Sequence, residues 1–214
     1  MKNTDYEILP FFPKVFYIKD LDLINDKDYN NILLNCKKQK YITTNKQNSN
    51  SSKISESQKI LDLKDFNKLK QIIYNEFNFF KNNILKYTNT NFKITSSWIT
   101  KTEKNNYSLL HNHNNSMFSG IFYVSVNEKQ LNISFENIFK SLFSIEPKEY
   151  NIFNSCEQKV FVKNKTLIFF PSEVHHTILS NEIHNDRYSI AFNILPTGLI
   201  GIKNTDEQVN IKVV

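Results

Sequence analysis

The stretch FFPSEVHHTILSNEIHNDRYSIAFNI, Phe169–Ile194, decides how the chain is read. A strongly apolar segment, Leu167–Phe170, runs into Pro171-Ser172, and a second β-rich segment follows over Val174–Leu179. A polar turn covers Ser180–Asp186, and a last strand starts at Arg187. Val, Ile, Phe and Tyr in short runs between Ser, Asn and Asp clusters are the signature of antiparallel strands. In a hairpin centred on Asn181–Glu182, His176 and Arg187 would lie opposite each other on one face. If the two strands belong to different sheets of a barrel, both still face inward. A guanidinium facing imidazole inside a barrel requires an anion, because a buried charge without a partner is strongly unfavourable.

Outward from this stretch the same texture extends back to Asn91. Short β-rich runs occupy Phe92–Thr100, Met117–Val126, Leu131–Phe135, Lys159–Val162 and Thr166–Phe170, so the spacing predicts an antiparallel sandwich or barrel. Before Asn91, Ile8–Leu21 reads as an opening strand and Asp26–Lys38 as a short helix behind an Asp cap. Asn45–Ser57 reads as a surface loop. Phe66, Leu69, Ile72, Ile73, Phe77, Phe80 and Ile84 follow the helical period, which predicts one long helix over Asp62–Lys86, capped near Asp62 or Asp65, on the outside of the barrel. The fold class is mainly β with flanking helices, and the 214 residues are read as one domain.

Composition excludes several function classes. With 3 Gly no phosphate-cradling loop can be written. No apolar run is long enough to span a membrane, and Asp5 and Glu7 interrupt the start, so a soluble, cytoplasmic protein is expected. Cys36 and Cys156 form no metal or disulfide framework and read as buried thiols. The net charge of +6 is spread along the chain, so nucleic acid is not indicated as a partner. Of 27 basic residues only Arg187 is Arg, which suits a site that needs a planar bidentate partner for a carboxylate.

All five His lie after residue 110. On an extended strand His111 and His113 point to one side and can present two imidazoles to one metal. His175 points outward by alternation, and His184 lies in the turn. Trp98, Phe118, Phe122 and Phe135 could line a pocket, although barrel core is the commoner role for such residues.

These residues carry a resemblance. His111-x-His113, a distant His176 and Arg187-x-Ser189 follow the order of the iron(II) and 2-oxoglutarate dependent dioxygenases, whose double-stranded β-helix is a cupin-like jelly roll. SSWIT (Ser96–Thr100), HNHNNSMFSGIFYV (His111–Val124), FFPSEVHHT (Phe169–Thr177) and DRYSIAFNI (Asp186–Ile194) resemble a family of 2-oxoglutarate/iron oxygenases of phages and marine bacteria. Its pattern runs S-W, H-x-H-x-x-S-x-x-S-G-x-Y-Y-V, F-P-S, H and R-x-S-x-x-F-N. LPFFPKVFY (Leu9–Tyr17) resembles its opening, so the likeness spans about residues 8–196, with the β-helix core from about 92 to 196.

The resemblance implies Fe(II) held by His111, His113 and His176. It also implies 2-oxoglutarate anchored by Arg187 with the hydroxyls of Ser189 and Tyr123. O2 would be the oxidant, succinate and CO2 the co-products, and a hydroxylated small molecule or peptide the product. His113 stands where the broader superfamily has an acid, the third member of the usual 2-His-1-carboxylate set. Asn115, Glu136, Glu173 and Asp186 are the alternative third ligands. Two other readings fit the same residues: a cupin-like metalloenzyme without keto acid, and a non-catalytic ligand-binding β-helix.

Overall fold

The last long strand divides the molecule. In the computed structural model, which describes residues 12–43, 50–128, 132–138, 143, 145–183 and 185–213, β11 runs over Arg187–Ile200. Its successive side chains alternate between two cores. Tyr188, Ile190, Phe192 and Ile194 enter a cluster built with the helices, whereas Arg187, Ser189, Ala191 and Asn193 face the opposite side.

Two antiparallel sheets make the body. The larger contains β1 (Tyr17–Asp20), β2 (Tyr41–Thr43), β3 (Lys53–Ser55), β4 (Asn91–Thr102), β6 (Phe118–Ser125), β9 (Thr166–Pro171), β11 and β12 (Val209–Ile211), in the order β1-β9-β6-β11-β4-β3-β2 with β12 on β11. The smaller contains β5 (Ser108–His111), β7 (Ile133–Glu136), β8 (Glu157–Val160) and β10 (His175–Ile178), in the order β5-β10-β7-β8. This mainly β, two-sheet architecture matches the expected fold class. Between the sheets Ile121, Tyr123, Ile168 and Phe170 pack against Ile133, Phe135 and Val162.

Two helices cover the outer face of the larger sheet. α1 (Asp26–Lys38) starts at Asn25, whose side chain accepts from the Asp28 N–H. The cap is therefore Asn25 rather than an Asp, and Asp26 and Asp28 in the first turn with Lys37 and Lys38 in the last complement the helix dipole. α2 (Asn67–Phe79) presents Leu69, Ile73 and Phe77 to the sheet. The Phe77 ring lies 5.3 Å from Phe169 and 5.7 Å from Phe118, mostly edge-on, and its burial contributes about 1.5–3 kcal/mol.

The expected single helix over Asp62–Lys86 is segmented. Ile60–Asp62 and Lys64–Phe66 are separate 3₁₀ turns, with Leu63 extended between them, and Phe80–Ile84 is a π-helical turn. The Ser97 hydroxyl accepts from the Leu61 N–H, which fixes the first turn against β4 and leaves Asp62 and Asp65 outside the helix cap.

Other expectations change too. The supposed surface loop Asn45–Ser57 contains β3, with Ser51, Ser52 and Ser55 buried; residues 44–49 lie outside the described set. Hydroxyls bonded across strands, such as Ser52 to Thr102 at 3.1 Å, make this polar segment compatible with burial. β10 and β11 do not form a hairpin pair. β10 pairs with β5 and β7, and β11 with β4 and β6, so His176 and Arg187 belong to different sheets. Of the expected opening strand Ile8–Leu21, residues 8–11 lie outside the described set, and within the rest the strand is Tyr17–Asp20. Cys36 is buried, which pushes its thiol up to about 12, but Cys156 is exposed.

Gly120 and Phe192, both in the quoted motifs, are cross-strand partners. A Cβ at Gly120 would stand 2.2 Å from Phe192 Cζ, so the ring lies where a side chain would be. Gly120→Ala is expected to cost at least about 1–3 kcal/mol in urea unfolding, and combining it with Phe192→Leu to recover part of that loss. An unchanged midpoint in the single variant contradicts this packing.

Candidate metal centre

Three imidazoles meet where the two sheets close together. His111 ends β5 and is the cross-strand partner of His176 on β10. His113 lies beyond the strand, so strand parity does not bring it there. Its N–H donates to the Ser172 carbonyl at 3.0 Å, which turns the chain back toward the same point. Ring centroids are 4.3 Å apart for His111 and His176, 5.1 Å for His113 and His176, and 5.4 Å for His111 and His113. One ring nitrogen from each lies within 4.8 Å of the others.

The hydrogen bonds state which nitrogen is free. His111 Nδ1 lies 2.7 Å from the Leu109 carbonyl, His176 Nδ1 3.2 Å from the Val174 carbonyl, and His113 Nδ1 2.6 Å from Asn193 Oδ1. These oxygens only accept, so each Nδ1 carries a proton, and Nε2 is the atom each ring can offer to a metal. Burial, reinforced by the neighbouring imidazoles, lowers the His176 pKa to about 3, and burial lowers that of His113. Three imidazoles whose Nε2 atoms make no hydrogen bond to the described residues could serve as a donor set for a divalent transition metal.

No carboxylate joins this group among the described residues. Glu173 pairs with Lys14 at 2.6 Å, and Asp186 with Lys101 at 3.1 Å. Glu136 lies opposite His175 and accepts from Thr177, on the face away from His176. Asn115 sits in a left-handed turn. His184 lies outside the described residues.

Arg187 is 4% exposed and its guanidinium reaches only neutral oxygens: Asn132 Oδ1 at 3.0 Å and the Leu179 carbonyl at 2.7 Å. Among the described residues no carboxylate pairs with it. Burial lowers its pKa to about 10, with Tyr123 opposing. The Tyr123 hydroxyl is buried with no hydrogen-bond partner, and burial pushes its phenol up while the Arg187 charge pulls it down. A buried cation without a carboxylate partner among the described residues and an orphaned hydroxyl beside it could receive an anion.

A cavity of about 530 Å³ opens onto the triad and is lined by His111, His113, His176, Trp98, Ser189 and Asn193, among others. The Trp98 ring lies tilted beside His113, with centroids 5.4 Å apart. Phe118 and Phe122 belong to the helix-side core instead, and Phe135 packs between the sheets, 5.9 Å from His176. Sequence reasoning gave no role to Asn132 or Asn193, and read Ser51 and Ile54, which line the cavity, as loop. Parity held one clue: Asn193 is six residues from Arg187, hence on the same face.

Residues 96–193, just under half of the chain, match the family model described as "Putative 2OG-Fe(II) oxygenase". No curated protein matches the chain in sequence. Solved structures share the fold. An oxidoreductase of the 2OG-Fe(II) oxygenase family from Burkholderia pseudomallei superposes with a TM-score of 0.57 at 9% identity, over 84% of this chain and 83% of that one. The non-haem α-ketoglutarate dependent epimerase SnoN gives 0.62 at 7% identity over 89% and 82%. A Pseudomonas putida prolyl-4-hydroxylase gives 0.57 at 9% identity over 83% and 91%.

Because the Tyr123 hydroxyl is desolvated without a partner, Tyr123→Phe is expected to leave the ligand-free protein as stable as wild type or up to about 1 kcal/mol more stable. Urea unfolding checks this; a loss above about 1 kcal/mol would mean that the hydroxyl is bonded in the ligand-free fold.

Proposed function

We propose that this chain, whose residues 96–193 carry the pattern of the 2OG-Fe(II) oxygenase family, is a 2-oxoglutarate-dependent iron(II) oxygenase that hydroxylates a small-molecule or peptide substrate. The observation that carries the reading is the buried Arg187 guanidinium, which pairs with no carboxylate among the described residues and lies beside the orphaned Tyr123 hydroxyl. A dicarboxylate keto acid satisfies both. In a metal site without a keto acid, or in a non-catalytic barrel, the two groups would remain buried at a cost with nothing to offset it.

In this reading His111, His113 and His176 hold the metal through Nε2. Arg187 grips the distal carboxylate of 2-oxoglutarate in a bidentate fork, with Ser189 and Tyr123 donating alongside. Charge favours the arrangement. With a divalent ion held by the three imidazoles, the Arg187 charge would add to a net positive field in the cavity, most of which a keto-acid dianion would offset. Iron(II) with 2-oxoglutarate and O2 supplies the oxidation, yielding succinate, CO2 and a hydroxylated C–H position. The protein's part is orientation and exclusion of water: Ile121, Ala191 and Trp98 line the wall beside the triad.

The relatives in fold act on different substrates. HygX from Streptomyces hygroscopicus is known with nickel, 2-oxoglutarate and hygromycin B, at 10% identity, and a prolyl hydroxylase from Trichoplax adhaerens is known with a peptide fragment, at 12%. A cavity of about 530 Å³ suits a small molecule or a single side chain of a peptide.

Anaerobic titration with Fe(II) and 2-oxoglutarate is expected to give a metal-to-ligand charge-transfer band, and admission of O2 to give succinate. His176→Ala is expected to lose iron binding. Arg187→Lys keeps the charge but not the fork, and is expected to weaken 2-oxoglutarate about ten- to a hundredfold while iron affinity barely changes. Equal 2-oxoglutarate affinity in the Lys variant, or none in wild type, contradicts the proposal.

A further inference from the structure

His111 and His176 are oriented by backbone carbonyls, but His113 is oriented by a side chain. Asn193 Oδ1, 2.6 Å from His113 Nδ1, also accepts from the Ser119 hydroxyl at 3.0 Å. Ser119 Oγ is 2.8 Å from Ser172 Oγ, which in turn lies 3.0 Å from Ser116 Oγ. Ser116 closes the chain on the carbonyls of Phe118 and Ile194. Ser119 and Ser172 are fully buried. The Ser172 carbonyl also receives the His113 N–H, so one short segment holds both ends of the residue.

We infer that Asn193 is the positioning residue of His113, held with its oxygen toward the ring by the Ser119–Ser172–Ser116 chain, so that His113 keeps its Nδ1–H tautomer and presents Nε2 to the cavity. This deepens the oxygenase proposal and rests on it only for the identity of the metal. The physical need is specific to His113. It lies past the end of β5, where no neighbouring carbonyl of its own strand is in reach, and a neutral imidazole without a fixed acceptor samples both tautomers. Two donors converging on Asn193 Oδ1 also discriminate against the flipped amide, which would turn its NH2 toward the Nδ1–H and the hydroxyl. The inference accounts for the hydroxyl and amide positions of three separate motifs, H-x-H-x-x-S-x-x-S, F-P-S and F-N, which close on one imidazole.

The test uses two readouts on the full chain. In metal-free protein, ¹⁵N-resolved correlation spectra of the histidine rings are expected to show His113 as the Nδ1–H tautomer, and Asn193→Ala to spread it over both tautomers while His111 and His176 stay as in wild type. Co(II) binding, followed by quenching of Trp98, the one tryptophan of the chain, is expected to weaken ten- to a hundredfold in Asn193→Ala and to return to within about threefold of wild type in Asn193→Asp, which keeps an acceptor at Oδ1. Wild-type tautomer and affinity in Asn193→Ala would overturn the inference. So would Asn193→Asp as weak as Asn193→Ala, which would mean that the residue acts by packing alone. If wild type fails to bind Co(II), the metal reading falls, and the tautomer spectra alone decide the role of Asn193.

Discussion

Alternation along β11 ties the packing of the molecule to its chemistry. One strand must bury Ile190, Phe192 and Ile194 against the helices and, on its other face, carry Arg187, Ser189, Ala191 and Asn193 into the space between the sheets. A slip of one residue would put the guanidinium in the aromatic core and the Phe192 ring in the cavity. Gly120 opposes that slip by leaving room for Phe192 only in the observed register. The register that seats the core thereby also sets the position of the Arg187 guanidinium.

The chemistry in turn shapes the energetics of the inner face. A cation held by Asn132 and a carbonyl, an unpaired phenol, and three imidazoles turned toward one point are unfavourable for the ligand-free fold. The helix-side aromatic cluster, with Phe77, Phe80, Phe118 and Phe169 at centroid distances of 5.3–6.2 Å, offsets that cost on the opposite face of the same sheet. Stability and function therefore sit on opposite sides of the sheet, and substitutions on the two sides are expected to affect different observables.

Much of this was legible in the sequence. β-rich runs with turn residues between them located most strands after Asn91 to within a few residues, and the H-x-H pair with a distant His176 anticipated the three imidazoles that meet at one point. What escaped has physical causes. Ser51–Ser55 is polar in composition, yet hydroxyls bonded across strands allow it to be buried at the sheet edge. Helical periodicity from Phe66 to Ile84 does not register that Leu63 is extended or that the last turn is wider. Strand pairing of β10 and β11 is a long-range choice that the turn between them does not dictate. His113 reached the right place for a reason other than strand parity, through Ser172 and Asn193.

The central claim is that the buried charge of Arg187 awaits the distal carboxylate of a keto acid bound at the histidine triad. Comparison of 2-oxoglutarate with 2-oxovalerate, which has the same five-carbon chain with a methyl group in place of that carboxylate, tests it most directly. With Fe(II)-loaded protein under nitrogen, calorimetric titration is expected to give 2-oxoglutarate at least a tenfold advantage, about 1.4 kcal/mol or more. Equal affinity for the two keto acids would contradict the account.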